Sequence, residues 1–434
     1  MKRIIRFITV ILAIAMILSL VACDSGGSPS GTPSQQPSQQ PSQQPSQQPS
    51  GAPGASTPPP PTGPPIKIGH IVDLTGVEAM AGAEAKRALE FAIESFGGQI
   101  AGRPVEIILG DAQNQPSVAV DLARKMVEQD GVAAILGPTQ VGQKSAVAEY
   151  MDQAGVPLVF YNGSPLGMLM GKEWVVAAGG VTPQMPTCMA DYVYNTLGYR
   201  TVHTISFDNT SGRAWFDPFV AAFEKLGGSV LTQQWHPIPC PDFAPFLATL
   251  SDADAIVAWN SGGDAIGFWK AWYDLGIHEK MPVVGLFNGG FTDYYIVDAM
   301  YAHSPAAAEA MLGTPVAIMY ALDAQHQENI QFVEAWKAQY GVAPASNLPG
   351  SINQVALLMK AALESIDGDT NPENLMKAIL GASITGPEGH LSFSNSSIAT
   401  KDVYIVQVVQ LDDGSYNYSM LKVYKDVPPT GLAN

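Results

Sequence analysis

Short apolar runs alternate with stretches of helical period from Ile66 onward, and partway along the chain the alternation starts afresh. Ile66–Leu74 predicts a strand. Ala81–Phe96 carries apolar residues at 88, 89, 92, 93 and 96, the spacing of one helix face. Strands then follow at Pro104–Leu109, Val132–Leu136 and Pro157–Tyr161, with helices at Ser117–Glu128 and Gly142–Gln153 between them. The second round runs through helices at Met185–Leu197, Arg213–Leu226, Asp242–Leu250 and Asp264–Leu275. Its strands fall at Thr201–Phe207, Ser229–Gln234, Ala255–Trp259 and Pro282–Phe287. Strand–helix alternation builds a parallel sheet covered by helices on both faces, so two doubly wound α/β units in tandem are expected. A strand near Met311–Ile318 comes next. Helices follow around Asn329–Tyr340, Ile352–Ile366 and Pro372–Leu380, and then strands at Val403–Leu411 and Tyr416–Tyr424. Asp412-Asp413-Gly414 between the last two is a hairpin signal.

In such sheets ligands sit off the carboxyl ends of the strands. Those ends carry short polar, Gly-rich turns: Asp73–Gly82, Asp111–Pro116, Gly137–Gly142, Asn162–Ser164, Asp208–Gly212, Asn260–Asp264 and Asn288–Gly290. The first turn has neither the GxGxxG spacing of a dinucleotide site nor a phosphate loop. Ser164 lies in Gly163-Ser164-Pro165-Leu166-Gly167, not a GxSxG elbow. The seven His are dispersed, with no HxxxH or CxxC pair. The sequence therefore offers no argument for catalysis, for a metal or for a cofactor.

The N-terminal 65 residues are of another kind. Lys2, Arg3 and Arg6 precede an apolar stretch from Phe7 to Ala22 and then Cys23, the layout of an export signal. Positions 24–65 hold 13 of the 34 prolines, with Ser-Gln-Gln-Pro repeated from Ser34 to Pro49. Without large apolar residues this tract cannot pack a core. As extended polyproline II it would reach on the order of 130 Å, a spacer or, alternatively, a docking segment for a partner domain. Net charge is −17, near −20 once Lys2, Arg3 and Arg6 are removed, which argues against a nucleic-acid partner.

Leu20-Val21-Ala22-Cys23 resembles the lipobox of bacterial lipoproteins. The resemblance implies acylation of Cys23 and attachment to the outer face of the cell membrane. The globular part resembles the branched-chain amino-acid (Leu/Ile/Val) receptors of ABC importers, of the type I periplasmic-binding-protein fold. Ile66-Lys67-Ile68-Gly69 with Leu74-Thr75-Gly76, Ala101–Glu106, Ile135-Leu136-Gly137-Pro138, Gly155-Val156-Pro157 and Gly386-Pro387 with Gly389 and Phe393 carry it. It implies two lobes joined by three crossovers, with one ligand clamped between them. Lobe 1 would be 66–182 plus 313–384, and lobe 2 would be 183–312 plus 385–428. The ligand would be an amino acid or related, aromatic included, carboxylate. The partner would be an ABC permease in the membrane, with the receptor a monomer. A ligand-sensing module for a membrane receptor is the alternative, and an enzyme on this fold a third.

The family grips an amino acid by its carboxylate and its ammonium. By that analogy Ser164 and the backbone of Gly163 meet the carboxylate, and the Asn162 carbonyl meets the ammonium. Ser164 also reads as a helix cap before Pro165. The family's second hydroxyl would fall at Val141, a departure that Thr139 or Gln140 could make good. Asp264, twelve residues before Gly276, has the spacing of the ammonium-binding acid and equally that of a helix cap. Ser211 and Ala81 replace larger family residues, which implies a ligand bulkier than leucine. Met80, Trp259 and Tyr320 complete the candidates, with Phe160, Tyr161 and Trp215 as further aromatics; Trp259 fits plain core packing as well. Trp269 and Trp272 read as core. Cys188 and Cys240 either pair outside the cell or stay two free thiols.

Overall fold

A computed structural model describes residues 62–76, 78–287, 291–292, 294–344, 346–394, 396–411, 414 and 416–432. The export signal with Cys23, the repeat tract to Pro61, the turn at 288–290 and the Asp412-Asp413 corner lie outside the described residues.

The chain forms the expected α/β architecture with two sheets dominated by parallel pairing. The first contains β1 (Ile66–Val72), β2 (Gln99–Ile100), β3 (Arg103–Asp111), β4 (Ala134–Leu136), β5 (Leu158–Phe160) and β6 (Val175–Ala177). They lie in the order β2-β3-β1-β4-β5-β6, parallel except for β2. β1 is almost wholly buried, as a strand covered on both faces must be. The helix Ala79–Ser95 buries Ala85, Ala88, Leu89, Ala92 and Ile93, a single stripe at i, i+3, i+4, i+7 and i+8.

The second sheet holds β7 (Thr201–Phe207), β8 (Ser229–His236), β9 (Ala255–Ala258), β10 (Val283–Gly285), β11 (Pro315–Ile318), β12 (Ser383–Gly386), β13 (Gly389–Phe393), β14 (Ala399–Gln410) and β15 (Tyr416–Val427). Strands β7 to β11 pair in parallel, and β14 closes the run antiparallel to β11. Its core is aromatic, with Phe216, Phe219, Phe223, Phe268 and Trp269 all fully buried. Trp269 and Trp272 are core, as expected, with indole N–H groups donated to Phe291 O and Met281 O.

Several elements differ from the sequence pattern. β6, β12 and β13 are too short for a periodic signal. The expected helix at Asp242–Leu250 shrinks to one turn, Ala244–Leu247. Met311 ends a helix rather than opening a strand, because Pro305 followed by an Ala-rich run starts a helix well. The boundary expected at 313 is also displaced. β11 bonds to β10 at Gly285 and to Tyr404–Gln407 of β14, so this strand stays in the second sheet. The chain joins the first unit's core only from Tyr320 onward, where Tyr320, Phe332 and Trp336 pack with Leu89 and Phe91. Similarly, 385 falls inside the β12–β13 hairpin. By hydrogen bonds that hairpin extends the second sheet, yet Ile384 and Leu391 pack into the first core.

The crossing segments are tied by buried polar groups. Gln184 Nε2 donates to Ala399 O (3.0 Å) and Val427 O (2.8 Å), and its Oε1 accepts the Val181 N–H. Lys401 and Glu388 form a fully buried ion pair at 2.6 Å, and the Ser351 hydroxyl donates to the same carboxylate. Cys188 and Cys240 are free thiols, and Cys240 Sγ donates to Asp242 O.

Candidate functional site

Each unit presents the ends of its strands in the same way. Gly82 in the first helix of unit one lies against the carbonyl of Asp73; Gly212 in the first helix of unit two lies against that of Phe207. A Cβ at either position would stand within 2.3 Å of that oxygen, so only glycine lets these helices come so close to the strand. Ala81 and Ser211, the two small residues singled out from the sequence, therefore occupy matching places.

The wall of unit one is polar. β5 ends at Phe160, and Tyr161, Asn162, Gly163 and Ser164 follow. The Thr139 and Tyr161 hydroxyls share a hydrogen bond of 2.8 Å, and Asn162 Nδ2 donates to Thr139 O. Ser164 is fully buried. Its hydroxyl accepts from Lys144 Nζ at 3.1 Å, and the same ammonium donates to the carbonyls of Asn162 and Gly163, both at 3.0 Å. Three acceptors use all three donors of the ammonium. Lys144 is wholly buried, its Nζ 5.0 Å from the centre of the Phe160 ring. None of the ion pairs among the described residues includes it. Burial without a counter-ion pushes its pKa from 10.5 down to about 7. Asp73, the buried acid of this wall, is instead held through Oδ1 by the Asn114 N–H (2.6 Å) and Gln143 Nε2 (2.8 Å). Burial, with Asp73 nearby, holds Glu78 above the usual carboxylate range, and a hydrogen bond to the Gln140 side chain opposes that shift.

The wall of unit two is aromatic. Trp215 and Phe287 stack with centroids 4.2 Å apart and planes 10° from parallel. Trp259 packs on both, at 5.9 and 5.1 Å, and Phe207 meets Trp259 edge-on. At the same strand ends, His236 Nε2 bonds Asn260 Oδ1 at 2.6 Å. The two walls touch: a Cβ built on Gly163 would stand 3.9 Å from Trp215 Cη2 and 3.8 Å from Met185 Cε. Two buried side-chain atoms at the strand ends have no hydrogen-bond partner among the described residues, the acceptor Asn162 Oδ1 and the donor Asn260 Nδ2.

The structure gathers Ser164, Gly163, Asn162 and Thr139 on one wall and Trp259 on the other. Gln140 caps the helix Val141–Ala154 through its backbone, with Val141 at the first helical position and 43% exposed. Ser211 lies in the first turn of the helix Thr210–Lys225. Met80 is 80% exposed, a rim position at most. Asp264 is 9% exposed, and its Oδ1 accepts the Cys240 N–H at 3.0 Å. That bond ties the loop after β8 to the helix Gly262–Asp274 and commits one carboxylate oxygen. Tyr320 is corrected. It is buried in the core of unit one, its hydroxyl donates to Asn329 Oδ1 and its ring covers Gly350, so it is a packing residue and not a cleft residue.

Lys144 and Phe287 escaped the sequence reading. A signal for Lys144 was present: with Val147, Ala148 and Met151 it stands at i, i+3, i+4 and i+7 on the buried face of its helix. A separate groove of about 670 Å³ lies between Trp174, Met376, Leu380 and Phe393. Its lining shares no residue with the two walls described above.

A family model described as periplasmic binding protein matches residues 65–415. The chain belongs to this family. Among relatives, a Leu/Ile/Val-binding protein homolog of Brucella melitensis is 25% identical over 374 residues, spanning 85% of this chain and 93% of the relative. An ABC transporter substrate-binding protein from Sphaerobacter thermophilus shares the fold with a TM-score of 0.74 at 28% identity, over 83% of this chain and 98% of that one. A solute binding protein of an ABC transporter from Rhodopseudomonas palustris, solved in complex with p-hydroxybenzoic acid, gives a TM-score of 0.73. At 24% identity, over 85% of this binding protein and 99% of the other, that likeness concerns the fold alone. Membership implies an extracytoplasmic location. No helix among the described residues is long and apolar enough to cross a membrane.

Proposed function

We propose that this binding protein is the receptor of an ABC importer, tethered to the outer face of the cell membrane through acylated Cys23. It closes two lobes over a small carboxylate with an aromatic or bulky apolar body. The observation that carries the ligand class is the pairing of walls, with Trp215 of the Trp215–Phe287 stack reaching Gly163. Flat aromatic surfaces with a few placed polar groups suit a planar apolar body. Unpaired Asn162 Oδ1 and Asn260 Nδ2 offer an acceptor and a donor to a ligand that carries both kinds of group. Such atoms each cost about 1–3 kcal/mol while unpaired, which ligand bonds would offset. The range spans two similar proteins: a relative named for aliphatic amino acids and a protein alike in fold that holds a hydroxybenzoate.

The protein acts by binding and release, with no chemical step, and it hands its ligand to a permease encoded by another chain. The lobes close as a hinge, because neither wall alone covers the ligand. A thermal-shift screen of amino acids and aryl carboxylates tests the ligand class. Stabilisation by at least one aryl carboxylate is expected; a response confined to sugars or cations would contradict the reading. Cys23→Ala should release the protein from the membrane fraction or leave it unprocessed, and normal lipid labelling of the variant would rule out the tether.

A further inference from the structure

Lys144 is the one feature of the polar wall that the binding reading leaves unexplained. It donates to three acceptors at the end of β5, namely Asn162 O, Gly163 O and Ser164 Oγ, and it is wholly buried without a counter-ion among the described residues. Backbone carbonyls at a strand end carry partial negative charge and are natural partners for a ligand's ammonium. Here an internal ammonium already fills that role. Neither acid of this wall makes an ion pair with it among the described residues; Asp73 Oδ1 accepts instead from Asn114 and Gln143. Glu78 is bonded to Gln140. The other neighbour packed on Lys144 is the Phe160 ring, which carries no formal charge. Behind this wall there is therefore a buried positive centre from which both carbonyls already accept a hydrogen bond.

We infer that Lys144 is a specificity-determining residue that stands in for a ligand ammonium, so the cleft selects carboxylates lacking an α-amino group over the amino acids of the same carbon skeleton. The inference deepens the proposed receptor function and rests on it. An anionic head near Gly163 gains the counter-charge that Lys144 lacks. A zwitterion brings a second cation to a place where both carbonyls already accept from an ammonium and a like charge lies close by, which costs affinity.

Matched pairs of ligands test it by calorimetry: 3-phenylpropanoate against L-phenylalanine, and 4-methylpentanoate against L-leucine. The proteins are the full chain, Lys144→Met and Lys144→Ala. Circular dichroism and the melting temperature certify that each variant is folded. In the wild type the amine-free member of at least one pair should bind at least tenfold more tightly. Both variants free the three acceptors, so the ratio should move toward the amino acid by tenfold or more, chiefly through a gain for the amino acid. An unchanged ratio in a folded variant overturns the role of Lys144 while leaving the receptor function intact. Tighter wild-type binding of the amino-acid members overturns it as well. Binding of none of the four compounds by the wild type overturns the inference together with the ligand class on which it rests.

Discussion

The two walls of the cleft grow from the same fold element, yet they solve opposite problems. In each unit a helix is drawn onto a strand end by glycine, Gly82 against Asp73 and Gly212 against Phe207. Beyond that turn the units diverge. Unit one places buried ionisable groups under its wall: among the described residues Lys144 has no counter-ion, and neither ring nitrogen of His70 in β1 is bonded. Unit two joins His236 to Asn260 and to Pro237 O, leaves only Asn260 Nδ2 of this group unbonded among the described residues, and fills much of the rest with stacked rings. One wall is electrostatically unfinished and the other is packed. The difference teaches that a shared α/β frame can carry chemically opposite strand ends, set by a handful of side chains.

The contrast breaks most visibly under pH. Burial lowers His70 from 6.5 to about 3 and Lys144 from 10.5 to about 7. The unfolded chain takes up the His70 proton near 6.5 while the folded one refuses it down to about 3. Stability is therefore full above pH 6.5 and falls as the pH drops toward 3, by at most about 4–5 kcal/mol. For Lys144 the folded protein sheds its proton near 7 and the unfolded chain only near 10.5, so stability rises between those values by a comparable amount. Urea denaturation of His70→Leu should lack the acid loss, and that of Lys144→Met the alkaline gain. Parallel pH profiles for wild type and variants would contradict both assignments.

Next in size is Trp215→Ala, which empties the stack on Phe287 and Trp259. A loss of about 3–4 kcal/mol in unfolding free energy is expected, along with at least tenfold weaker binding of aryl carboxylates. Trp215→Phe should recover most of the stability and only part of the affinity. Ser164→Ala removes one acceptor from Lys144 and is expected to cost about 1 kcal/mol, measured by the shift of the denaturation midpoint. Met80→Ala, on the rim, should stay within about 0.5 kcal/mol of the parent. A large effect there would mean that the cleft reaches beyond the two walls.

The alternation of strands and helices was legible because buried parallel strands and amphipathic helices leave different periods in the chain, and β1 and the helix Ala79–Ser95 show both cleanly. The short strands β6 and β12 were not, since three or four residues carry no period. Tyr320 illustrates the limit for sites. Its position just after β11 fits a cleft residue equally well, and only the packing of Gly350 and Asn329 against it turns it inward. Asp264 shows another limit, because spacing cannot reveal that a loop 24 residues upstream offers the Cys240 N–H to its carboxylate. Lys144 was legible in principle, as a lysine on an apolar helix stripe, but the carbonyls it satisfies come from the turn after β5.

The central claim is that one polar, amine-refusing wall and one aromatic wall clasp a carboxylate. Titration calorimetry of the wild-type full chain at pH 6, where Lys144 holds its proton, with 4-hydroxybenzoate and with L-leucine tests it most directly. The account predicts saturable one-to-one binding of the hydroxybenzoate, with L-leucine at least tenfold weaker. Tight binding of L-leucine with no heat from the hydroxybenzoate would contradict it.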